Sequence, residues 1–349
     1  MNHPAPASRS PHLLRWSALG AAVMAGAALL ILFWTRQDAP PPRATEKLVI
    51  AHVAQPAFAL IYIAAARGYF AEEGLNEELQ PHALGRDALT SVIEGKADLA
   101  TAYETPVVRR IYEGDALGIV SALHTSKFSQ ALLARRDSGI AAISDLKGKR
   151  IGVTPGTSME FLLHLLLATE GVPATSVTRV SLEPADYESA IIRKQVDALV
   201  VFGTHLQSLQ QQAGKDALAV FYSDLYIETS LLAGMRDKLL AKPLVMQQLL
   251  KAIVQAQEFT RSNPAESLEI VVKQLTDRYP ESAIRRAWTD LRFDIELDNL
   301  LLTLLTQEAR WLRDAGAFGT AVPDFRQYIL AEFLHDVKPG AATLHARHH

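Results

Sequence analysis

Two hydrophobic periods take turns along most of this chain, and their alternation predicts its architecture. Residues 47–53 (KLVIAHV) are apolar on both faces, which predicts a buried strand. Residues 58–73 then repeat apolar positions at helical spacing until Gly74 stops them. The pair recurs as strand 77–80 with helix 86–94, and as strand 98–103 with helix 106–113. Residues 117–123 and 130–135 predict two further strands. Beyond Asp145 the alternation restarts, with strands over 150–154, 178–182 and 198–202 and helices over 158–170, 187–194 and 206–213. Such βαβα order predicts an α/β fold, with parallel, doubly wound sheets covered by helices on both faces. Two runs of it predict two similar lobes. From about residue 241 the pattern is helical throughout. Segments 244–262 and 300–316 each carry a strongly apolar face and are expected to wrap the first lobe.

The densest signal lies at 147–170, KGKRIGVTPGTSMEFLLHLLLATE. Pro155 and Gly156 break a short strand, and Gly156 supplies the positive φ that a tight turn needs. Thr157 as N-cap and Glu160 three residues later fit a capping box. A helix starting just past the carboxyl end of a strand points unpaired N–H groups and a positive dipole end outward. The same pattern also suits a plain connection in any α/β domain, in which Thr157 and Glu160 only cap the helix.

Residues 16–35 (WSALGAAVMAGAALLILFWT) carry no charge, and at about 1.5 Å per residue they span about 30 Å, the thickness of a bilayer core. Arg9 and Arg15 precede them, which favours a cytoplasmic amino end, and Trp16 and Trp34 mark the two edges. An uncleaved signal anchor fits this length better than the short core of a signal peptide, although Ala25-Gly26-Ala27 resembles a cleavage site. The sequence therefore predicts residues 1–15 as a cytoplasmic terminus and 36–46, with Pro40-Pro41-Pro42, as a stiff linker. It further predicts lobe 1 over 47–135, lobe 2 over 136–226, and a return to lobe 1 over 227–337. The tail 338–349 is expected to be disordered.

The chain of 349 residues has a formal charge of −3 and no cysteine. Disulfides, thiolate metal sites and a cysteine nucleophile are thereby excluded. No basic tract exists to hold a nucleic acid. Neither a G-x-S-x-G nor an H-E-x-x-H motif occurs.

Four further motifs lie in order along the chain. Arg67-Gly68-Tyr69-Phe70 follows the first helix, and Gly85-Arg86-Asp87-Ala88-Leu89 leads to Glu94-Gly95-Lys96-Ala97-Asp98-Leu99-Ala100. Asp145-Leu146-Lys147-Gly148-Lys149-Arg150-Ile151-Gly152-Val153 runs into Pro155-Gly156-Thr157-Ser158, and Val196-Asp197-Ala198-Leu199-Val200 precedes Phe202. Together, over about 46–320, they resemble the solute-binding proteins of ABC importers for nitrate, sulfonates and taurine, and the related pyrimidine-precursor-binding proteins. The resemblance implies a type II periplasmic-binding fold, two lobes on a two-strand hinge that close on a small molecule. It also implies that the turn 155–158 faces the ligand.

Ligands of open parallel sheets lie beyond the carboxyl ends of the strands. That rule selects His52 and Gln55; Tyr103, Glu104 and Thr105; His124 and Thr125; Gly156, Thr157 and Ser158; and Phe202, Thr204 and His205 as the candidate ligand-binding set. Three histidines at strand ends invite a metal, but separate loops rarely converge as ligands, so no metal or other cofactor is expected. Many members of the family carry an aromatic–acid–proline set after the Val-Asp-Ala strand. Phe202-Gly203-Thr204-His205 lacks the acid and the proline, which weakens the case for a ligand amine held there. Glu104 and Glu160 would repel a bare oxyanion unless capping ties them up, and Lys127 could offset them if it points inward.

These readings predict a non-enzymatic periplasmic component of an ABC importer. It would bind a small anionic or zwitterionic organic solute, act as a monomer, and sit at the inner membrane through its N-terminal helix beside a permease and its ATPase. The alternatives are an anchored receptor for a partner sensor, and an enzyme like the thiamine-precursor synthases. Those enzymes carry a cysteine-rich iron motif that this chain lacks.

Overall fold

A computed structural model describes residues 45–319 and 321–344. The expected anchor at 16–35, its flanking segments and the last five residues of the tail lie outside the described residues. Among the described residues no helix is long and apolar enough to cross a membrane.

Two five-stranded sheets form the two lobes. In the first, β1 (Glu46–Val53) pairs in parallel with β2 (Leu75–His82) and β3 (Leu99–Tyr103). Between these strands run α1 (Ala59–Arg67), α2 (Tyr69–Glu72) and α3 (Gly85–Ile93). The predicted single helix over 58–73 is thus broken, because Gly68 takes φ 75° between its two parts. After β3 comes α4 (Glu104–Tyr112), then β4 (Leu117–Ser126) at the sheet edge. Sheet order is β2-β1-β3-β10-β4, where β10 (Glu228–Met235) runs antiparallel to both of its neighbours.

The second lobe repeats the plan. Its strands are β5 (Gln130–Arg135), β6 (Arg150–Val153), β7 (Thr178–Ser181), β8 (Ala198–Phe202) and β9 (Leu218–Phe221), in the order β7-β6-β8-β5-β9. Helices α5 (Ser158–Thr169), α6 (Tyr187–Ile192) and α7 (Gly203–Ala213) connect them.

Each sheet is therefore mixed, where the alternation alone predicts parallel sheets. The antiparallel members are β5 and β10, which cross from one lobe to the other. Residues 130–135 were expected in lobe 1, but β5 pairs with β8 and β9. Its register Gln130↔Phe202 to Ala134↔Ala198 buries apolar residues on both faces, which its composition satisfies in either lobe. The crossovers are 127–129 and 222–227, and they form a two-strand hinge. Strands β9 and β10 are both missing from the pattern reading; β9 is only four residues long, and β10 opens on the polar Glu228, Thr229 and Ser230 before its short apolar stretch.

Helices α8 (Arg236–Leu240) and α9 (Pro243–Ser262) return to the first lobe, and α9 lays its buried stripe of Leu249, Ile253 and Ala256 against α1. Helix α10 (Pro264–Leu275) continues it, whereas α11 (Glu281–Trp288) packs on α7 of the second lobe. Helix α12 (Asn299–Asp314), capped by the Asp298 carboxylate on the Leu301 amide at 2.9 Å, lies along α4. The C-terminal helices thus touch both lobes. Helix α13 (Ala331–Val337) and a 3-10 turn, Pro339–Ala341, close the described chain. That turn corrects the expectation of a disordered tail from 338. Ala341 is buried, the Leu297 amide donates to its carbonyl at 2.7 Å, and the Thr343 amide donates back to the Leu297 carbonyl at 3.0 Å.

Candidate functional site

The cleft between the lobes is closed around an aromatic pair. Tyr103 ends β3 and Phe202 ends β8, so each ring projects from a strand's carboxyl end in a different lobe. Their centroids lie 5.5 Å apart at an interplanar angle of 16°. A cavity of about 20 Å³ adjoins them, lined by Gln55, Phe128, Ser129, Gly203 and Thr204, with Ala287 and Leu291 from the C-terminal helical region. It has room for about one water molecule. The Tyr103 hydroxyl donates to Gln55 Oε1 at 3.2 Å, and buried Thr204 Oγ1 has no aligned partner.

Of the predicted set, Gln55, Tyr103, Phe202 and Thr204 therefore line one cavity. The histidines do not. His52 is buried against Tyr62, with Nδ1 3.1 Å from the tyrosine hydroxyl, and burial pulls its pKa down to about 4. His124 contacts Ser230 Oγ through Nδ1 at 2.6 Å, leaves Nε2 unpartnered, and is pulled down to about 3 by burial. His205 sits edge-on between Tyr187 and Tyr279, again about 4 through burial. His52 and His124 are core residues and His205 is half-buried, and all three are neutral at neutral pH. Among the described residues no cluster of three His, Asp or Glu could hold a metal ion. Thr125 exchanges backbone hydrogen bonds with Arg292 and lines a surface pocket of about 390 Å³ outside the cleft. Lys127 is exposed on the first crossover and offsets nothing inside the cleft.

The turn before α5 is built differently from a capping box. Glu160 accepts from the Gly156 amide at 2.7 Å rather than from Thr157, while the Thr157 hydroxyl donates to the Thr154 carbonyl at 2.7 Å. The positive φ of 74° at Gly156 makes this possible. The turn faces the other lobe. A Cβ added at Gly156 would lie 3.7 Å from Arg86 Cδ and 3.8 Å from Arg109 Nε. Arg86 bonds the Pro155 carbonyl at 2.5 Å and both Glu183 oxygens at 2.6 and 2.7 Å, and Arg109 lies 3.7 Å from Glu160. These contacts clasp lobe 1 to lobe 2 at the cleft mouth and leave neither arginine unpaired.

Ser158 turns inward instead. Its hydroxyl accepts from Gln130 Nε2 at 2.5 Å and donates to Glu228 Oε1 at 3.2 Å, while Ser129 donates to the other Glu228 oxygen. Glu104 accepts from the Tyr226 hydroxyl and from the Thr229 amide at 3.1 Å. Thr105 faces Glu308 of α12, although its hydroxyl is not aligned for a hydrogen bond. Sequence reasoning selects Glu104, Thr105 and Ser158 but misses Ser129, Tyr226, Glu228 and Glu308, which come from a crossover, from β10 and from a distant helix. Their only local signal is Glu228, a charged residue at the start of an otherwise buried strand.

The NMT1/THI5-like family matches residues 55–267, which include both sheets' central strands and the aromatic pair Tyr103 and Phe202. The chain belongs to that family. A protein of Brucella abortus named provisionally as a binding protein is 27% identical over 218 residues, 61% of this chain. The matched region spans 66% of that relative's length. Among solved structures, the alkanesulfonate-binding protein SsuA from Xanthomonas axonopodis pv. citri, bound to MOPS, superposes with a TM-score of 0.70. It is 19% identical, and the match covers 83% of this chain and 99% of that one. The desulfurization enzyme DSZB superposes at 0.63 with 17% identity, over 84% of this chain and 99% of its own. The family's fold is thus a periplasmic-binding-protein fold with two α/β lobes, and that scaffold carries both binding and enzymatic members.

Proposed function

We propose that this protein is the periplasmic solute-binding component of an ABC importer. It closes on a small organic solute between its lobes and hands that solute to a permease with its ATPase. The observation that carries this reading is the interlobe aromatic pair, Tyr103 and Phe202, on a two-strand hinge beside buried polar groups. Hinge opening separates rings that belong to different lobes, and closing grips whatever has entered between them. The names of the matched binding proteins point the same way. Enzymatic turnover has less support, since no histidine lines the cavity to serve as a general base. The apolar stretch at 16–35 would tether the protein to the outer face of the inner membrane.

The solute we favour is organic and zwitterionic or weakly acidic rather than bare nitrate. Glu160 already fills the Gly156 amide, Arg86 and Arg109 are engaged by glutamates, and Glu228 takes the Ser158 hydroxyl. A naked oxyanion would find few unpaired donors and no counter-charge. A thermal-shift screen of the full chain with taurine, alkanesulfonates including MOPS, nitrate, aromatic acids and pyrimidines tests this. At a hundredfold excess over Kd a true ligand adds about 2.7 kcal/mol of stability. An organic hit with no response to nitrate is expected. Silence across every class, together with turnover of any of them, would overturn the transport reading.

A further inference from the structure

Three glutamates converge where the hinge, the first lobe and the second lobe meet. Glu104 opens α4, Glu228 opens β10 directly after the second crossover, and Glu308 lies midway along α12. All three are buried, at 0%, 1% and 0% exposure. The groups that face them are few. Glu104 meets the Tyr226 hydroxyl, the Thr229 amide and Glu308, while Glu228 meets the Ser129 and Ser158 hydroxyls with Tyr103 nearby. Glu308 faces the Thr105 hydroxyl and the Glu104 carboxyl, yet neither of its oxygens has an aligned partner. Among the described residues no arginine, lysine or histidine pairs with any of the three, and none is a leading influence on their protonation. Three neighbouring carboxylates without a counter-charge cannot all stay ionised when buried, so the closed structure holds protons here.

The cover over this cluster belongs to the other lobe. Ser158 of α5 sits on Glu228, and Phe161 of the same helix stands edge-on to Tyr226 at 5.4 Å and 82°. Phe161 also packs on Trp311 of α12, one turn beyond Glu308, at 5.3 Å. Opening the hinge draws Ser158 and Phe161 away and lets water reach Glu228 and Tyr226. Ionised carboxylates are then hydrated rather than buried.

We propose that solute capture is linked to proton uptake: closing the lobes buries the Glu104–Glu228–Glu308 cluster in protonated form, so acid favours the closed, solute-holding state and alkali the open one. This rests on the solute-binding reading above. Each proton taken up on closure shifts the closing equilibrium about tenfold per pH unit. Burial raises Glu104 to about 7 against the pull of its Tyr226 and Thr229 hydrogen bonds. Glu228 and Glu308 are likewise raised well above the ordinary glutamate value, by burial and by the Glu104 charge. The advantage of the closed state is present in acid and is lost as pH climbs through the raised values of the buried carboxyls.

The cysteine-free chain makes the test direct. Thr90→Cys and Glu188→Cys place spin labels at exposed positions beside the Arg86–Glu183 clasp, one on each lobe. Interlobe distances in the full chain are then measured without solute from about pH 5 to pH 9. Short distances should dominate in acid and give way to long ones in alkali, with a change in their ratio of at least about tenfold. Glu308→Gln and Glu228→Gln, each neutral at every pH, should retain the short population in alkali. A distribution independent of pH overturns the proposal, and so does a wild-type response in both glutamine variants. Either result leaves hits in the ligand screen standing. A screen without hits overturns solute capture and leaves a pH-driven opening intact.

Discussion

Phe202 contributes one ring to the pair that closes the cleft, and it also fills buried space at the end of β8. Phe202→Leu separates these roles, because leucine keeps the apolar volume while losing the stacking face. Aromatic pairs add about 0.5–1.5 kcal/mol beyond their burial. Solute affinity is therefore expected to fall about fivefold, measured by titrating a hit from the screen, while the unliganded fold loses under about 1.5 kcal/mol. An unchanged Kd would show that the pair packs without gripping. The residue scale also shows where the sequence could be read. Gln55, Tyr103, Phe202 and Thr204 follow from a strand-end rule, because carboxyl ends of inner strands face a crevice in any doubly wound sheet. His52, His124 and His205 obey the same rule by position, yet desolvation keeps them neutral, packed against other side chains rather than lining the cavity. Whether a strand-end side chain points at solvent or at Tyr62 is decided by packing, which one sequence does not display.

Helix α3 meets β3 at closer range than its sequence suggests. A Cβ at Gly85 would come within 2.8 Å of Ala102 Cβ and 2.9 Å of Ala102 Cα. The backbone of the first helical residue thus rests on the strand just before Tyr103. Gly85→Ala is predicted to destabilise the fold by about 1–3 kcal/mol through overpacking. Because Arg86 follows directly, the interlobe clasp should shift as well, which crosslinking between positions 90 and 188 would report. A melting temperature equal to wild type would contradict the contact. The Gly-Arg-Asp motif is visible in the sequence, but its glycine reads there only as a helix start. Element boundaries were mostly legible, because stop glycines at 74, 95, 114 and 171 adopt positive φ at helix ends or turns. Strands β9 and β10 were not, since β9 is four residues long and β10 opens on the polar Glu228, Thr229 and Ser230 beside the hinge.

Titration acts on the whole molecule through two opposing sets of groups. The histidines at about 4, 3 and 4 lie below their ordinary 6.5, so the unfolded chain binds more protons there and stability rises with pH up to about 6.5. The carboxyl cluster runs the other way. Its contribution is full below 4.5 and is lost as pH rises through the raised values, about 7 for Glu104. The melting temperature should therefore peak near about pH 6 and fall above it, and Glu308→Gln should flatten the alkaline fall. A melting temperature that keeps rising to about pH 8 would contradict burial of the three carboxyls.

Local pattern alone determined the α/β class, two lobes, most helix ends and four cavity residues. These depend on periodicity, turn chemistry and strand direction, all written within a few residues. Tertiary structure decided what depends on distant partners. It placed β5 in the second lobe and β10 in the first, because backbone pairing across a hinge leaves no local mark. It gave Glu160 to the Gly156 amide and joined Glu104, Glu228 and Glu308, which lie 204 residues apart from first to last, in one buried site. Each of these glutamates alone reads as an ordinary polar residue. Their chemistry comes from having one another as neighbours and no cation to balance them.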